Sequence, residues 1–300
     1  MRKLGMPHRE LKWEIPSIML LAFIHGWGEM TRGEEAMSKG EMLARGRTAE
    51  VYAWKDGQVL KLFLKDWPVD SVEHEAQVTG AVHKAGLPVT AVEGIVEVEG
   101  RLGIVLERVD GPSMLQVLTS RPWRIGKLAR TLAELHAAIH SCEMPELPSL
   151  REELGRGIRE VELPEETKEA VLSHLKQLPD GKTICHFDFH PDNILMSSHG
   201  PVVIDWANPR RGDPMADVAA TSLLFRLAPL PQFMAGQWLI NLLRARLHSI
   251  YLKRYLQLRP ASREQIAAWE LPLVTSRLLD NIPEEKALLL AFIEKTLSSQ

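Results

Sequence analysis

Two cysteines, Cys142 and Cys185, are all that the 300 residues contain. They are too few for a disulfide framework and are not spaced as a metal-binding pair, so a reducing cytoplasm is the simpler setting. Excess charge of one sign is missing too. A formal net charge of -3 gives no electrostatic reason to expect nucleic acid or an anionic membrane as partner, and any anionic ligand must be held by local groups. Internal repeats and low-complexity tracts are absent. The apolar run "PSIMLLAFIHGW" at 16–27 is shorter than the roughly 20 residues that span a bilayer, and His25 and Trp27 stand where a signal-peptide cleavage site takes small residues. Residues 1–36 are therefore set apart as an N-terminal extension of undecided role, with no membrane span expected.

What is present describes a folded chain, with 45% apolar and 25% charged residues, large enough for one big domain or two lobes. Short β-type runs, "AEVYAW", "QVLKLFL", "GIVEVEG" and "RLGIVLERV", follow from about residue 41, with turn signals at Asp56-Gly57 and Gly100; they predict an antiparallel sheet. One helix interrupts them at about 71–85. Asp70 and Glu73 have the spacing of a capping box at its start, and Gly86 and Pro88 close it. Beyond Gly111-Pro112 the period becomes helical, with Ile125, Leu128, Ala129, Leu132, Leu135, His136 and Ile139 on one buried face. A polar connection at 143–164 and a helix at 165–178 lead to the chemically richest stretch, and helices are predicted at 217–227, 233–257, 262–279 and 284–297. The layout is α+β. Residues 37–110 form a small β-rich lobe and 111–300 a larger helical lobe, which puts a cleft between them.

The rich stretch is "ICHFDFHPDNILMSSHGPVVIDWANPRRGDP" at 184–214. "NILM" and "VVIDW" flank a turn-forming "SSHGP", so a β-hairpin is predicted whose open ends bring Asn193 and Asp205 together, neighbouring strands lying about 4.8 Å apart. An amide oxygen beside a carboxylate suits Mg²⁺ rather than zinc. Asp188, five positions before Asn193, is the candidate proton acceptor. Upstream, Lys61 shares a strand face with Val59 and Phe63 and needs a counter-charge. Glu75 supplies one from the predicted helix, where it lies on an apolar stripe with Val78 and Val82.

His186, Asp188 and Asn193 fit HxDxxxxN, and "HFDFHPDNIL" with "VVIDWANPRRGDPMADVA" resembles the aminoglycoside phosphotransferase and choline kinase-like family, whose usual forms are HGDxHxxN and IDWxxxxxGDPxxDLA. The resemblance covers essentially 43–297. It implies a two-lobed protein kinase-like fold and an ATP- and Mg²⁺-dependent phosphotransferase acting on a small molecule's hydroxyl. Lys61 would then bind the α/β-phosphates, with Glu75 holding it in place. "ARGRTAEVY" would be a glycine-poor phosphate loop, with Gly46 and Thr48 offering backbone contact. "LERVDGP" resembles the hinge that holds adenine, through Glu107 and Val109, and Val51, Leu195 and Ile204 would sandwich the base. His186 would brace the loop and Asp217 would anchor its backbone. Phe187 departs from the family glycine.

Blander readings stand beside these. A strand lysine is commonly a snorkelling edge residue and a helix glutamate is commonly solvated. His186 and His190 form an alternative metal pair, although the neighbouring asparagine and aspartates are poor zinc partners. Asp213 and Asp217 flank Pro214 at a helix start, where capping is the default role. Trp238 and Trp269 read as core. The competing function is a catalytically silent kinase-like protein that binds nucleotide or a partner. Neither the acceptor nor the oligomeric state can be read from the sequence.

Overall fold

The computed structural model describes residues 39–227 and 236–298. The extension at 1–36 and the first residues of the helix predicted at 233–257 lie outside these. The chain divides into two compact units, one made of the described residues up to Pro122 with Pro191–Asn208, the other of Trp123–His190 with the chain from Pro209 onward.

The first unit is built on a five-stranded sheet of β1 (Met42–Arg45), β2 (Ala49–Ala53), β3 (Gln58–Phe63), β4 (Val92–Val98) and β5 (Arg101–Glu107), in the order β1-β2-β3-β5-β4. Every pairing is antiparallel. Glu99 and Gly100 both take positive φ in the β4–β5 turn, a conformation that glycine adopts without a Cβ clash. Alternation gives the sheet two apolar faces. One buries Tyr52, Leu60, Leu62, Val98 and Val105, and the other buries Ala49, Phe63 and Ile104 against Val72 and Ala76 of α1 (Val69–Lys84).

Helix α1 starts earlier than the predicted capping box. Pro68 stands at the N-cap and no side chain caps the helix; proline's fixed φ suits a helix entrance, which moves Asp70 into the first turn, where its charge favours the helix dipole. Gly86, with φ 81, ends the helix as expected.

The same unit contains the predicted hairpin, β7 (Ile194–Ser197) and β8 (Gly200–Val203), paired from Ile194↔Val203 to Ser197↔Gly200. Two backbone bonds fasten it to the 88–112 segment, Met196 N–H to Pro112 O at 2.8 Å and Val203 N–H to Pro88 O at 2.8 Å. Gly111 permits this approach, since a Cβ there would lie 2.5 Å from the Met196 carbonyl oxygen. Helix α2 (Met114–Ser120) follows, with Ser113 and Gln116 forming a capping box.

In the second unit α3 (Ile125–Ile139) buries the predicted stripe, and α4 (Leu150–Glu160) occupies what the sequence suggested was only a connection. Leu150, Leu154 and Ile158 are one helical face, fully buried, while Gly155 and Gly157 lower the local helix signal. Next come α5 (Glu165–Gln177) and two short paired strands, β6 (Thr183–Cys185) and β9 (Arg210–Gly212), then α6 (Pro214–Leu227) and α7 (Gln237–Leu258). The helix predicted at 262–279 is broken into α8 (Arg263–Ala267) and α9 (Glu270–Arg277). Pro272 lacks an N–H and is tolerated in a first turn but not in a helix interior. Helix α10 (Pro283–Leu297) completes the described chain. Trp269 is core as expected, but Trp238 is 72% exposed. It stands at the first turn of α7, whose buried residues, Leu247, Tyr251, Leu252 and Tyr255, begin only further along.

Candidate functional site

The residues singled out in the sequence fall into two groups, one in each unit. In the first, Lys61 on β3 extends its ammonium between two carboxylates, 2.6 Å from Glu75 Oε1 and 2.7 Å from Asp205 Oδ1. The fold explains why. Lys61 is the cross-strand partner of Val51 and of Ile104, so it points to the face covered by α1, and its charge also lies 5.5 Å from the centre of the Phe63 ring. Burial by itself would lower its pKa, but the Asp205 and Glu75 carboxylates hold it above the ordinary lysine value. Glu75 is pushed above the usual carboxylate range by burial and by the Asp205 charge, against the pull of Lys61. The expected Lys61–Glu75 pair is therefore present, and Asp205 completes an ion cluster that the sequence did not suggest.

Asp205 has φ 66, a left-handed conformation that aspartate tolerates better than most residues. At the same open end of the hairpin Ile204 N–H donates to Asn193 O at 3.0 Å, so Asn193 and the returning strand are neighbours. Ser113 O–H donates to Asp192 Oδ1 at 2.7 Å and ties the loop before Asn193 to the start of α2. Gly46 closes the β1–β2 turn by donating its N–H to Ala49 O at 2.8 Å, and the Thr48 carbonyl accepts from Leu64. Glu107 N–H is engaged by Ala91 O at 2.9 Å, while Val51, Leu195 and Ile204 are half-buried.

The second group surrounds the loop at 186–190. Asp217, in the first turn of α6, is wholly buried and accepts two backbone bonds, from His186 N–H at 2.6 Å and Phe187 N–H at 3.0 Å. It is not a cap; Asp213 fills that role by accepting from Met215 N–H at 3.0 Å. Phe187 takes φ 68, the backbone region that glycine enters freely and that costs other L-residues about 1–2 kcal/mol. Its buried ring and the Asp217 contact keep it there. The loop thus keeps a glycine-type backbone without glycine. Asp188 follows directly, with its N–H 3.3 Å from His186 Nδ1 and its Oδ1 3.3 Å from His190 Nε2. His186 and His190 are both buried.

A family model described as the phosphotransferase enzyme family matches residues 39–248, most of the chain. The chain belongs to that family. The match ends inside α7, so Tyr251 and Tyr255 lie beyond it. Among solved structures, aminoglycoside-3'-phosphotransferase of type VIII is similar with TM-score 0.53 and 21% identity, over 80% of this chain and 90% of that one. A protein from Haemophilus somnus 129PT, provisionally assigned as a fructosamine-3-kinase, gives TM-score 0.58 and 16% identity over 85% and 90%. The streptomycin-ATP-APH(2")-IIa ternary complex gives 0.51 and 17% over 79% and 83%. Identities this low speak for the fold alone, and that fold is the two-lobed kinase-like one expected from the sequence. No curated protein matches the chain by sequence. Among the described residues no helix is long and apolar enough to cross a membrane.

Proposed function

We propose that this phosphotransferase-family protein is a small-molecule kinase that transfers the γ-phosphate of ATP to a hydroxyl group. The observation that supports it most is the Lys61 ammonium held between Glu75 and Asp205 at 2.6 and 2.7 Å. A partly buried ammonium with two carboxylates is costly to assemble for stability alone, and the same three groups are what phosphate and metal binding require.

In this reading residues 37–110 are the nucleotide-binding lobe, and residues 111–300 supply the catalytic loop, the metal site and the acceptor pocket. Lys61 binds the α/β-phosphates and Glu75 keeps the ammonium from swinging away. Gly46 and Thr48 present backbone to phosphate. Because the Glu107 N–H is already engaged, the hinge would contact adenine through the Glu107 carbonyl and the Val109 N–H, with Val51, Leu195 and Ile204 as apolar walls. Asn193 and Asp205 offer only hard oxygen donors at the hairpin's open end, a set that fits Mg²⁺. When bound, such an ion supplies neutralisation of the charge on the transferring phosphoryl group. Asp188 takes the proton of the attacking hydroxyl, His190 and His186 orient it, and Asp217 anchors the loop. The similar structure containing ATP supports nucleotide as the donor, and a cytoplasmic location accords with that requirement.

The test is incubation with ATP, Mg²⁺ and a panel of amino sugars, amino alcohols and sugars. A phosphorylated product is expected from wild type, and Asp188→Asn should lower turnover by about 10²–10⁴-fold with ATP affinity unchanged. Nucleotide binding without product across a broad panel would favour the silent form, and near-normal turnover in Asp188→Asn would remove Asp188 from the role of base.

A further inference from the structure

Behind the 186–190 loop lies a buried polar network that the proposed chemistry does not use. His136 in the last turn of α3 and His140 at its C-cap are four positions apart and almost fully buried. Each meets a tyrosine of α7 through Nδ1, His136 with the Tyr251 hydroxyl at 2.7 Å and His140 with the Tyr255 hydroxyl at 2.7 Å. Each also places Nε2 3.2 Å from Asp217 Oδ2.

The two halves are not equivalent. His140 Nε2 makes a hydrogen bond to the carboxylate, whereas His136 Nε2 lies at the same distance without one. A carboxylate only accepts, so the His140 proton resides on Nε2 and its Nδ1 is left with a lone pair. The Tyr255 O–H must then be the donor. Burial and the neighbouring His136 lower the His140 pKa to about 4, in keeping with a neutral ring near pH 7.

The chain of bonds is therefore continuous and has one direction, from Tyr255 O–H to His140, from His140 N–H to Asp217, with the same carboxylate receiving His186 N–H and Phe187 N–H. We infer that Tyr255 is a positioning residue for the 186–188 backbone: its hydroxyl fixes the His140 tautomer, through it the orientation of Asp217, and thereby the left-handed Phe187 on which the placement of Asp188 depends. Without the Tyr255 donor, His140 is free to move its proton to Nδ1, which would turn an Nε2 lone pair toward the carboxylate. Tyr251 has a weaker hold, because His136 Nε2 meets Asp217 at 3.2 Å without the aligned hydrogen bond that His140 makes. The consequence for catalysis rests on the kinase reading; the consequence for the backbone does not.

The experiment compares Tyr255→Phe with Tyr251→Phe, two identical deletions of one hydroxyl, both from fully buried rings one turn apart. Amide hydrogen exchange at His186 and Phe187 should accelerate about tenfold in Tyr255→Phe, the loss of one buried hydrogen bond, and stay near wild type in Tyr251→Phe. With an active acceptor, kcat should fall by a similar factor in Tyr255→Phe with KM for the nucleotide unchanged. Unchanged exchange at those two amides, or equal acceleration in both variants, would overturn the inference, the latter by showing general loosening of α3 against α7. A tightly bound metal ion in the purified protein, lost in His140→Gln, would also overturn it, since the three side chains could then be ligands. If wild type turns nothing over while the exchange difference persists, the kinase reading fails and the relay stands. Should Tyr255→Phe not fold, His140→Gln, which keeps a donor toward Asp217, is expected to retain wild-type exchange at both amides, and His140→Leu to lose it; equal exchange in that pair would sink the idea.

Discussion

Asp205 and Asp217 follow the same motif, yet they are held in opposite ways. Asp205 keeps 29% of its side chain exposed and faces a full cation, Lys61. Asp217 has no exposure and faces dipoles: two backbone N–H groups, the His140 N–H, and the edge of His136. An ion pair open to solvent can be exchanged for other charges when a ligand arrives, because water and the partner cation share the cost. A carboxylate locked by buried neutral donors cannot release them without leaving several polar groups unsatisfied. The difference separates a residue suited to binding from one suited to holding a backbone still.

The strongest way to break this comparison is to remove each carboxylate. Asp217→Ala should cost about 3–5 kcal/mol of stability, as expected when a buried charge leaves its donors stranded, and chemical denaturation would measure it. Asp205→Ala should change stability by about 1 kcal/mol or less, since Lys61 keeps Glu75 and the Asp205 carboxylate remains 29% exposed to water. It should instead abolish the tightening of ATP binding by Mg²⁺, more severely than Asn193→Ala does, because a carboxylate brings a full charge and an amide only a dipole. A large stability loss in Asp205→Ala, or none in Asp217→Ala, would erase the distinction.

A finer test concerns the ion cluster alone. Glu75→Ala should weaken turnover nearly as much as Lys61→Ala, by about 10²–10³-fold, and the double variant should be scarcely worse than either, as for residues that act as a unit. Asp205 complicates the expectation in a useful way. With Glu75 gone, Lys61 still has a partner at 2.7 Å, and that partner is the one the metal would claim. Full additivity of the two losses would show that Lys61 and Glu75 act independently, and a Glu75→Ala variant with near-normal turnover would show that Asp205 alone positions the ammonium.

These contrasts also mark what the sequence could reveal. The Lys61–Glu75 pair was legible because each residue broke an apolar pattern, a strand face in one case and a helix stripe in the other, and a charge misplaced in that way needs a partner. The hairpin was legible from its turn. Asp205 as a second partner of Lys61 was not, since the two are 144 positions apart and nothing local links them. His136 was read as one more member of the buried stripe on α3, which it is; Tyr251, the partner 115 positions away that explains its polarity, carries no signal in the local pattern. Helix α4 was missed for a different reason, because Gly155 and Gly157 mask a stripe that only tertiary packing makes decisive. Trp238 shows the converse error: a large apolar side chain was assigned to the core by type, and its place on the first turn of α7 overrides that expectation.

The pH dependence of stability tests the Asp217 side again, and without any substrate. His140 faces Asp217, His136, Tyr255 and the charge of Arg259, and burial, ahead of His136, brings its pKa down to about 4. The unfolded chain, with an ordinary histidine pKa near 6.5, binds the proton first as the pH falls. His140 therefore contributes stability that is fully present above about pH 6.5 and is lost progressively toward pH 4, on the order of 3 kcal/mol at most. Replacing it by glutamine, which does not titrate, should make the stability profile less steep across that window, leaving the slope due to His136 and His248, whose pKa values burial also lowers. Above pH 7 the two proteins should have parallel profiles. An equally steep fall in His140→Gln between pH 6.5 and 4 would mean that the ring is not held neutral by its surroundings; both nitrogens would then carry protons, Tyr255 would accept from Nδ1 while Nε2 still donates to Asp217, and Tyr255 could not set the tautomer.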